Sequence, residues 1–210
     1  MPQPDMLPPC VVLAGGRGLR MGGVDKGLLQ VAGGRMIDHV LGRMAPQSGG
    51  LAINANGDPA RWQALGLPVL PDALPDGVEA FPGPLAGLLA GMDWAAARGA
   101  THVVTVSADT PFLPVGLVAG LIRAADPTGC AVAASPDGTG ALRPHPTCGL
   151  WPVTLRDDLR AALQTGQRRV MHWARLQAAG LARFESQPFD PFFNINSPED
   201  IATANQLILL

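Results

Sequence analysis

The stretch VVLAGGRGLRMGGVDK, which ends at Lys26, constrains the fold more than any other part of the chain. The apolar run VVL is followed directly by Ala14, Gly15 and Gly16, a pattern typical of a buried strand that opens into a glycine-rich loop. Five glycines in this loop leave many backbone N–H groups without side-chain cover, and such groups can form a nest for phosphate oxygens. The stretch therefore predicts a strand followed by a nucleotide-phosphate loop.

The basic residues of this loop favour a polyphosphate ligand. Arg17, Arg20 and Lys26 alternate with the glycines, so their positive charges lie where phosphates would bind. Two commoner phosphate loops do not match. The dinucleotide fingerprint G-x-G-x-x-G requires glycine where Met21 stands, and the P-loop requires Ser or Thr where Gly27 follows the lysine.

Lys26 is the only lysine in the chain, because the other fourteen basic residues are arginine. A genome-wide preference for arginine explains the fourteen, and a chance surface lysine beside a flexible turn is the alternative interpretation of the remaining one. An ammonium is a compact point charge, whereas a guanidinium is a planar fork, so a site can require one and not the other. In this loop we interpret Lys26 as a phosphate-binding residue.

Predicted strands alternate with predicted helices after the loop. We predict strands at 51–54, 69–70, 102–107 and 130–134, and helices at 36–44, 59–65 (weak), from Pro84 to about 96, and at 115–125, 154–165 and 170–178. The glycine- and proline-rich stretch 135–146 is predicted to be an irregular excursion, and 148–151 a short edge strand. The alternation predicts an α/β fold with a mostly parallel, Rossmann-like sheet and helices on both faces.

Length and composition limit the classes of protein that fit. A chain of 210 residues with 47% apolar residues suits one well-packed domain over residues 1–210. A net charge of −2 without a basic run gives no reason to expect a nucleic-acid partner. The three cysteines lack disulfide or zinc spacing, and we find neither a signal peptide nor a membrane-spanning run. We therefore expect a cytoplasmic protein without a membrane partner.

Polar residues follow the predicted strands at their carboxyl ends, where ligands bind in open α/β sheets. They are Asn54, Asp72 and Asp109, and the backbone of Gly15-Gly16 follows the first strand in the same way. Asp109 is placed to hold Mg²⁺, which takes one or two carboxylates together with phosphate oxygens. A cap on the turn before Pro111 is the alternative role for Asp109, and an Asx turn is the alternative role for Asn54 and for Asp72.

Residues near the carboxyl terminus form a second set of candidates. In FFNINSPED, Ser197 as N-cap, Pro198 at the first helical position and Asp200 predict a capping box at the start of a helix. Asn194 and Asn196 precede this cap and have no capping role, so we expect them to face a ligand. Around His145, which is flanked by prolines, we find no Ser-His-Asp pattern, so covalent catalysis has no visible nucleophile.

Several blocks, in order and over nearly the whole chain, resemble those of the molybdenum cofactor guanylyltransferases. They are LAGGRGLRMGGVDKGLL, Asn54, Asp72, GPLAGL, SADTPFLP, RPHPTCGLW and FFNINSPED. The Gly-Gly pair after Leu13-Ala14 favours guanine, because cytidylyl relatives usually carry Ala-Ala-Gly there. Ser107-Ala108 departs from the proline and cysteine common before Asp109 but leaves the aspartate in place.

The resemblance implies a nucleotide-diphospho-sugar transferase-like domain that joins GMP from GTP to the terminal phosphate of molybdopterin and releases pyrophosphate. By similarity, the GTP-binding residues would be Leu13, Ala14, Gly15, Gly16, Lys26, Asn54, Asp72 and Asp109, with Asp109 also on Mg²⁺. Arg20, Lys26 and Asp109 would be catalytic, through neutralisation of charge during in-line displacement. Because the GTP blocks leave the second half of the chain unused, Arg143, His145, Asn194 and Asn196 are expected to line the molybdopterin pocket. Transient contact with cofactor-insertion chaperones or molybdoenzymes is a further expectation.

Two rival functions are compatible with these residues. The first is another nucleotidyltransferase of the same fold, a molybdopterin cytidylyltransferase or a sugar-1-phosphate nucleotidyltransferase, because the loop and its lysine are shared with them. The second is a non-catalytic nucleotide-binding protein. A product assay with different nucleotides separates the first from the guanylyltransferase, and loss of activity in Asp109→Asn would exclude the second.

Overall fold

The computed structural model describes residues 7–15, 25–75, 77 and 83–207 of the chain. Two of the residues expected in the nucleotide site, Gly16 and Arg20, lie outside these ranges. Within the described part, no helix is long and apolar enough to span a membrane.

The strands form one large sheet and one small hairpin. Their bounds are β1 Cys10–Leu13, β2 Gln30–Val31, β3 Gly34–Arg35, β4 Leu51–Asn54, β5 Val69–Leu70, β6 His102–Ser107, β7 Ala131–Pro136, β8 Leu142–Pro152 and β9 Gly180–Arg183. The seven-stranded sheet has the order β5-β4-β1-β6-β8-β7-β9, and β2 pairs with β3 separately. All strand pairs in the large sheet are parallel except the two that β8 makes, with β6 and with β7.

Helices cover both faces of the sheet, as the sequence predicts. Their bounds are α1 Met36–Met44, α2 Pro84–Ala97, α3 Leu117–Ala124, α4 Arg156–Gln164, α5 Val170–Leu176 and α6 Pro198–Leu207. Short 3₁₀ helices are formed by Lys26–Leu28, Ala45–Gln47, Pro59–Leu65 and Val153–Leu155. One core holds α1 and α3 against the sheet, and the other holds α2, α4 and α5.

The central strands are mostly apolar because both of their faces are buried. In β1, Cys10 and Val12 belong to the core under α1 and α3, whereas Val11 belongs to the core under α2. The same alternation in β6 sends Val104 to the first core and Val103 to the second. The ends of these strands are therefore held rigidly between two layers of helices.

Helix α2 packs closely on the sheet because two of its glycines face it. A Cβ added at Gly87 would lie 2.1 Å from Asn54 Oδ1, and one added at Gly91 would lie 3.1 Å from Val11 Cγ2. Both distances are shorter than ordinary carbon contacts, so larger residues would push the helix away. The helix begins as predicted, with Pro84 in its first turn after Gly83, whose φ is 86°.

The prediction of an irregular excursion at 135–146 is wrong, whereas 148–151 is a strand as predicted but does not lie at an edge of the sheet. Instead of an irregular excursion and a short edge strand, β7 and the 11-residue β8 form a hairpin, and β8 lies inside the sheet between β6 and β7. The register shifts between Val132, opposite Gly149, and Ala133, opposite His145, so residues 146–148 form a bulge. Prolines, which cannot donate a ladder hydrogen bond, are tolerated where a bulge interrupts the pairing.

Most other predictions of secondary structure are confirmed, with small shifts. The strands at 51–54, 69–70 and 102–107 have the predicted bounds, while 130–134 moves to Ala131–Pro136. The weak helix at 59–65 is a 3₁₀ helix, and the short strands β2, β3 and β9 were not predicted. The capping box is also present, since Ser197 Oγ accepts from Asp200 N at 3.2 Å and Asp200 Oδ2 accepts from Ser197 N at 2.9 Å.

Candidate functional site

The described candidate residues lie along the carboxyl ends of the strands. The chain continues from β1 to β4 and β5 on one side of the sheet and returns to β6 on the other side of β1. Such a reversal opens a crevice beyond the carboxyl ends of the two strands, which is where ligands bind in this class of sheet. The ends of β1 and β6 carry Gly15 and Asp109 respectively.

A hydrogen-bonded cluster of Asn54, Asn56 and Asp72 lies beyond β4 and β5. Asp72 Oδ1 accepts from Asn54 Nδ2 at 3.0 Å, and Asp72 Oδ2 accepts from Asn56 Nδ2 at 2.7 Å. Asn56 Oδ1 in turn accepts from the backbone N–H of Asp72 at 2.9 Å. Two predicted residues are therefore in contact, and Asn56 joins them although sequence reasoning did not single it out. We name this the amide cluster.

The glycine loop starts beside the amide cluster. A Cβ added at Gly15 would lie 3.5 Å from Asn54 Oδ1 and 3.5 Å from Asn56 Nδ2. Ala14 N donates to the Asn54 carbonyl at 2.8 Å, which extends the β1–β4 pairing one residue past Leu13. The backbone of Leu13, Ala14 and Gly15 is thus held next to polar side chains that can bind a nucleoside.

Lys26 faces Asp109 and Asn196 at the other side of the crevice. Lys26 Nζ donates to Asn196 Oδ1 at 2.7 Å and lies 3.9 Å from Asp109 Oδ2. The side chains of Lys26 and Asp109 are 25% and 20% exposed, so both are reachable by a ligand yet partly shielded from water. At this separation the ammonium can neutralise a polyphosphate by direct contact, and the carboxylate can do so by holding a cation.

Asp109 satisfies a simple test for a magnesium ligand. One of its oxygens, Oδ1, accepts from Ser107 Oγ at 2.6 Å, while Oδ2 faces Lys26. Among the described residues no group of three or more His, Cys, Asp or Glu side chains is placed to hold a metal. Mg²⁺ commonly binds through only one or two carboxylates with phosphates and water completing the shell, so the donor set fits a nucleotide-bound ion.

The carboxyl-terminal segment reaches the crevice because Ile195 anchors it. Ile195 is 1% exposed and packs with Met36 and Phe112, and its N–H donates to the Asp109 carbonyl at 3.0 Å. Its neighbours Asn194 and Asn196 are both exposed. Asn196 contacts Lys26, as described above, so the segment contributes directly to the lysine end of the crevice.

Arg143 and His145 form a second polar group, centred on Asp190. Arg143 pairs with Asp190 Oδ2, and Ser135 Oγ donates to Asp190 Oδ1 at 3.0 Å. His145 Nε2 lies 2.7 Å from Ser135 Oγ, and the ring stacks on Phe192 at a centroid distance of 4.3 Å. Because the single Ser135 proton is directed to Asp190, His145 must donate from Nε2, which leaves Nδ1 as the acceptor.

His145 is buried in β8 and is neutral at physiological pH. Burial is the main reason that its pKa falls to about 4, while Asp190 raises the pKa and Arg143 lowers it by smaller amounts. The sequence-based placement of His145 in an irregular loop is therefore wrong. The arrangement is also not a nucleophilic triad, because Ser135 is fully buried and its hydroxyl bridges His145 and Asp190.

The four residues expected at a second substrate are thus not brought together in one group. Asn196 contacts Lys26, whereas Arg143 and His145 belong to the Asp190 group, and Asn194 is exposed on the segment between them. The cysteines add no reactive thiol, because all three are buried and burial raises the pKa of Cys148 to about 12.

A cavity of about 1010 Å³ lies near the amino ends of the parallel strands, away from the crevice. It is bordered by Pro9 before β1, His102 at the start of β6 and Gly129 before β7. Its described lining contains none of the residues that the sequence predicts to bind ligands, so its size does not make it the active site.

Comparisons with known proteins show the family to which this chain is similar. Residues 10–179 match the MobA-like NTP transferase domain. The molybdenum cofactor guanylyltransferase of Rhodopseudomonas palustris (strain BisB5) is 47% identical over 206 residues, covering 96% of this chain and 94% of the relative.

Two solved structures share the fold at low sequence identity. Molybdopterin-guanine dinucleotide biosynthesis protein A from Archaeoglobus fulgidus has a TM-score of 0.67 at 22% identity, covering 96% of this chain and 98% of its own. The 2-C-methyl-D-erythritol 4-phosphate cytidylyltransferase from Thermus thermophilus has a TM-score of 0.68 at 20% identity, covering 98% of this chain and 100% of its own. Their similar scores show that the fold alone does not select the base.

Proposed function

The chain belongs to the MobA-like NTP transferase family, among the molybdenum cofactor guanylyltransferases, and from that premise we propose the reaction and its site. The protein transfers GMP from GTP to the terminal phosphate of molybdopterin and releases pyrophosphate. The whole chain, residues 1–210, acts as one nucleotidyltransferase domain.

The observation that carries this proposal is the placement of Lys26 opposite Asp109, 3.9 Å apart, beside the end of β1. A triphosphate is strongly negative, so its binding requires local positive charge in a protein whose net charge is −2. Lys26 supplies that charge directly, and Asp109 supplies it through a cation. Arg20 and Gly16, on the same glycine loop, are assigned to the phosphates on the basis of sequence alone.

The amide cluster supports a nucleoside site at the other end of the crevice. Asn54 and Asp72 lie within hydrogen-bonding distance of each other and beside Gly15, which has no side chain to block a base or ribose. Leu13 and Ala14 line the same turn with their backbone. A GTP spanning from this cluster to Lys26 would present its α-phosphorus near Asp109.

The chemistry required of the protein is positioning and neutralisation of charge. The terminal phosphate of molybdopterin attacks the α-phosphorus in line with the departing pyrophosphate, and negative charge grows on the leaving oxygens. Lys26 and the loop N–H groups stabilise that charge more strongly in the transition state than in the ground state. Mg²⁺, when held by Asp109, would add neutralisation of the phosphate oxygens.

The second substrate is assigned to the carboxyl-terminal side of the crevice. Asn194 and Asn196 are exposed there, and Arg143 and His145 lie in the part of β8 that pairs with the carboxyl end of β7, on the same edge of the sheet. A pterin presents ring N–H and carbonyl groups that suit amide side chains and the acceptor Nδ1 of His145. Cytoplasmic location and brief contact with cofactor-insertion chaperones or molybdoenzymes complete the proposal.

The decisive experiment offers a molybdopterin source, Mg²⁺ and each of the four nucleoside triphosphates separately, and identifies the product by mass spectrometry. We expect a guanine dinucleotide from GTP alone. A cytosine dinucleotide would replace this proposal with a cytidylyltransferase. Unchanged activity in Asp109→Asn would argue against metal-assisted catalysis at this residue.

A further inference from the structure

We propose that Arg61 is a positioning residue that fixes the position of Lys26 relative to the amide cluster. The inference rests on the proposed function, in which Lys26 contacts the phosphates of GTP. Arg61 lies in the 3₁₀ helix Pro59–Leu65, well outside the glycine loop, and nothing in the sequence pattern marks it as functional.

Arg61 makes three contacts at once with the described chain. Its Nη1 pairs with Asp25 Oδ2, its Nη2 donates to the Asn56 carbonyl at 2.6 Å, and its Nε donates to the Asp58 carbonyl at 3.0 Å. A guanidinium is planar and presents its donors in a fixed fork, so contacts in three directions leave it little rotational freedom. Arg61 therefore fixes the position of Asp25, the residue immediately before Lys26.

The residue after Lys26 is held by the neighbour of Arg61. Trp62 is 1% exposed, and a Cβ added at Gly27 would lie 3.3 Å from Trp62 Cη2 and 3.5 Å from Ala108 Cβ. Gly27 is thus packed tightly between an indole and the strand that leads to Asp109. Arg61 and Trp62, which are consecutive in one 3₁₀ helix, therefore hold the residues on either side of Lys26.

The same arginine connects Lys26 to the nucleoside side of the crevice. The carbonyl of Asn56 accepts from Arg61, while the side chain of Asn56 exchanges two hydrogen bonds with Asp72. A displacement of the lysine relative to the amide cluster would therefore break contacts made by Arg61. Misplacement of a catalytic group by about 1 Å can reduce the rate on the order of a hundredfold.

The contacts assign Arg61 to positioning and not to substrate binding. Its guanidinium already pairs with a carboxylate and two backbone carbonyls, so binding a phosphate would require it to leave Asp25. Its effect on catalysis is expressed through Lys26.

The first test compares steady-state guanylyl transfer by the wild type with that of Arg61→Ala. We expect kcat to fall about tenfold or more, since the lysine loses a rigid support. Arg160→Ala is the matched control, because Arg160 forms an ion pair with Asp93 and is 37% exposed, against 38% for Arg61. The control should keep kcat, and equal losses of kcat in both variants would overturn the proposal.

Asp25→Asn provides a second route if Arg61→Ala folds poorly. It removes the charge of the partner while keeping its shape, and we expect the same direction of change in kcat. Arg61→Lys should recover part of the activity, because it keeps the pairing with Asp25 but loses the fork that reaches the Asn56 carbonyl. Full activity in Asp25→Asn would contradict the role assigned to the pair.

The sharpest test is a double-mutant cycle with Lys26→Ala, measured in single-turnover assays at high enzyme concentration. If Arg61 acts through Lys26, Arg61→Ala should change the rate by less than about twofold once Lys26 is absent. If the rate losses of the two single variants multiply in the double variant, Arg61 acts independently of Lys26, and the inference is overturned. Absence of guanylylated product from the wild type would instead refute the proposed function, so the two failures are distinguishable.

Discussion

Lys26 Nζ donates a hydrogen bond of 2.7 Å to Asn196 Oδ1, although 170 residues separate the two in the chain. The contact joins the glycine loop to the carboxyl-terminal segment, where Asp200 Oδ2 accepts from the N–H of Asn196 at 2.8 Å. That hydrogen bond is the main reason that the pKa of Asp200 lies below its usual value, and the charge of Lys26 adds to the effect. Residues expected at two different substrates are therefore coupled.

The coupling predicts different outcomes for the two asparagines. Asn196→Ala removes the acceptor that orients Lys26, so it should weaken both GTP binding and molybdopterin use, with a loss in kcat/KM of about tenfold, on the scale of one charge-assisted hydrogen bond. Asn194→Ala, on the other side of buried Ile195, should leave GTP affinity unchanged. Thermal stabilisation by GTP with Mg²⁺, measured for both variants, separates them. Unchanged GTP affinity in Asn196→Ala would show that the contact is incidental.

Replacement of Lys26 tests whether its compact shape matters. Lys26→Ala should reduce turnover by about a hundredfold or more, as expected for loss of one preorganised electrostatic group. Lys26→Arg keeps the charge, but its planar fork is a poor fit beside Asn196 and the buried Gly27, so we expect it to remain badly impaired. Steady-state kinetics with GTP provide the measurement. Near-normal turnover in Lys26→Arg would mean that only the charge is required.

A methyl group at Gly87 should damage both stability and nucleotide binding. The added Cβ would lie 2.1 Å from Asn54 Oδ1, so either α2 or the amide cluster must move. We expect Gly87→Ala to lower the free energy of unfolding by about 1–3 kcal/mol, the usual cost of overpacking, despite the better helix propensity of alanine.

Gly42→Ala is the control for that substitution. Gly42 lies in α1, and beyond the adjacent backbone of its own helix an added Cβ would meet no described atom within 4 Å. Helix propensity then predicts a gain of about 0.5–1 kcal/mol in the free energy of unfolding. Urea denaturation and the thermal shift caused by GTP would be measured for both variants. Equal behaviour of the two would contradict the close packing of α2 on Asn54.

The low pKa of His145 predicts a specific dependence of stability on pH. The pKa is about 4 in the folded protein and about 6.5 in an unfolded chain, so between these values the unfolded state binds the additional proton. The free energy of unfolding should therefore fall as pH decreases, by about 2 kcal/mol from pH 7.5 to pH 5 for this residue.

Urea denaturation of the wild type and of His145→Phe at the two pH values checks this prediction. Each protein is compared with itself, so the cost of replacing His145 cancels, and Asp190 and Arg143 are present in both. The variant should lose less stability on acidification than the wild type. His172→Asn, at an exposed position of α5, is the control and should behave like the wild type. An identical loss in His145→Phe would show that His145 is not the group responsible.

The sequence by itself determined the parallel strands β1, β4, β5 and β6, because their apolar runs depend on local order. The apolar run before Gly15 and the valine-rich run HVVTVS predict β1 and β6, since a strand buried on both faces is mostly apolar. The polar residues that follow β4, β5 and β6 are also evident from local order. Because parallel strands end at one edge of the sheet, Gly15, Asn54, Asp72 and Asp109 could be assigned to one crevice before any contact was seen.

Only the tertiary structure decided how β8 is used and which residues support the site. The prolines of 142–152 suggest an irregular segment. In the structure this segment pairs with β6 and β7, and a bulge interrupts the pairing with β7. Local sequence does not reveal these partners. Asn56, Arg61 and Trp62 have ordinary identities for a polar loop and a short helix. Their roles arise from contacts with Asp72, Asp25 and Gly27, and such long-range contacts depend on packing, which residue type and local spacing do not encode.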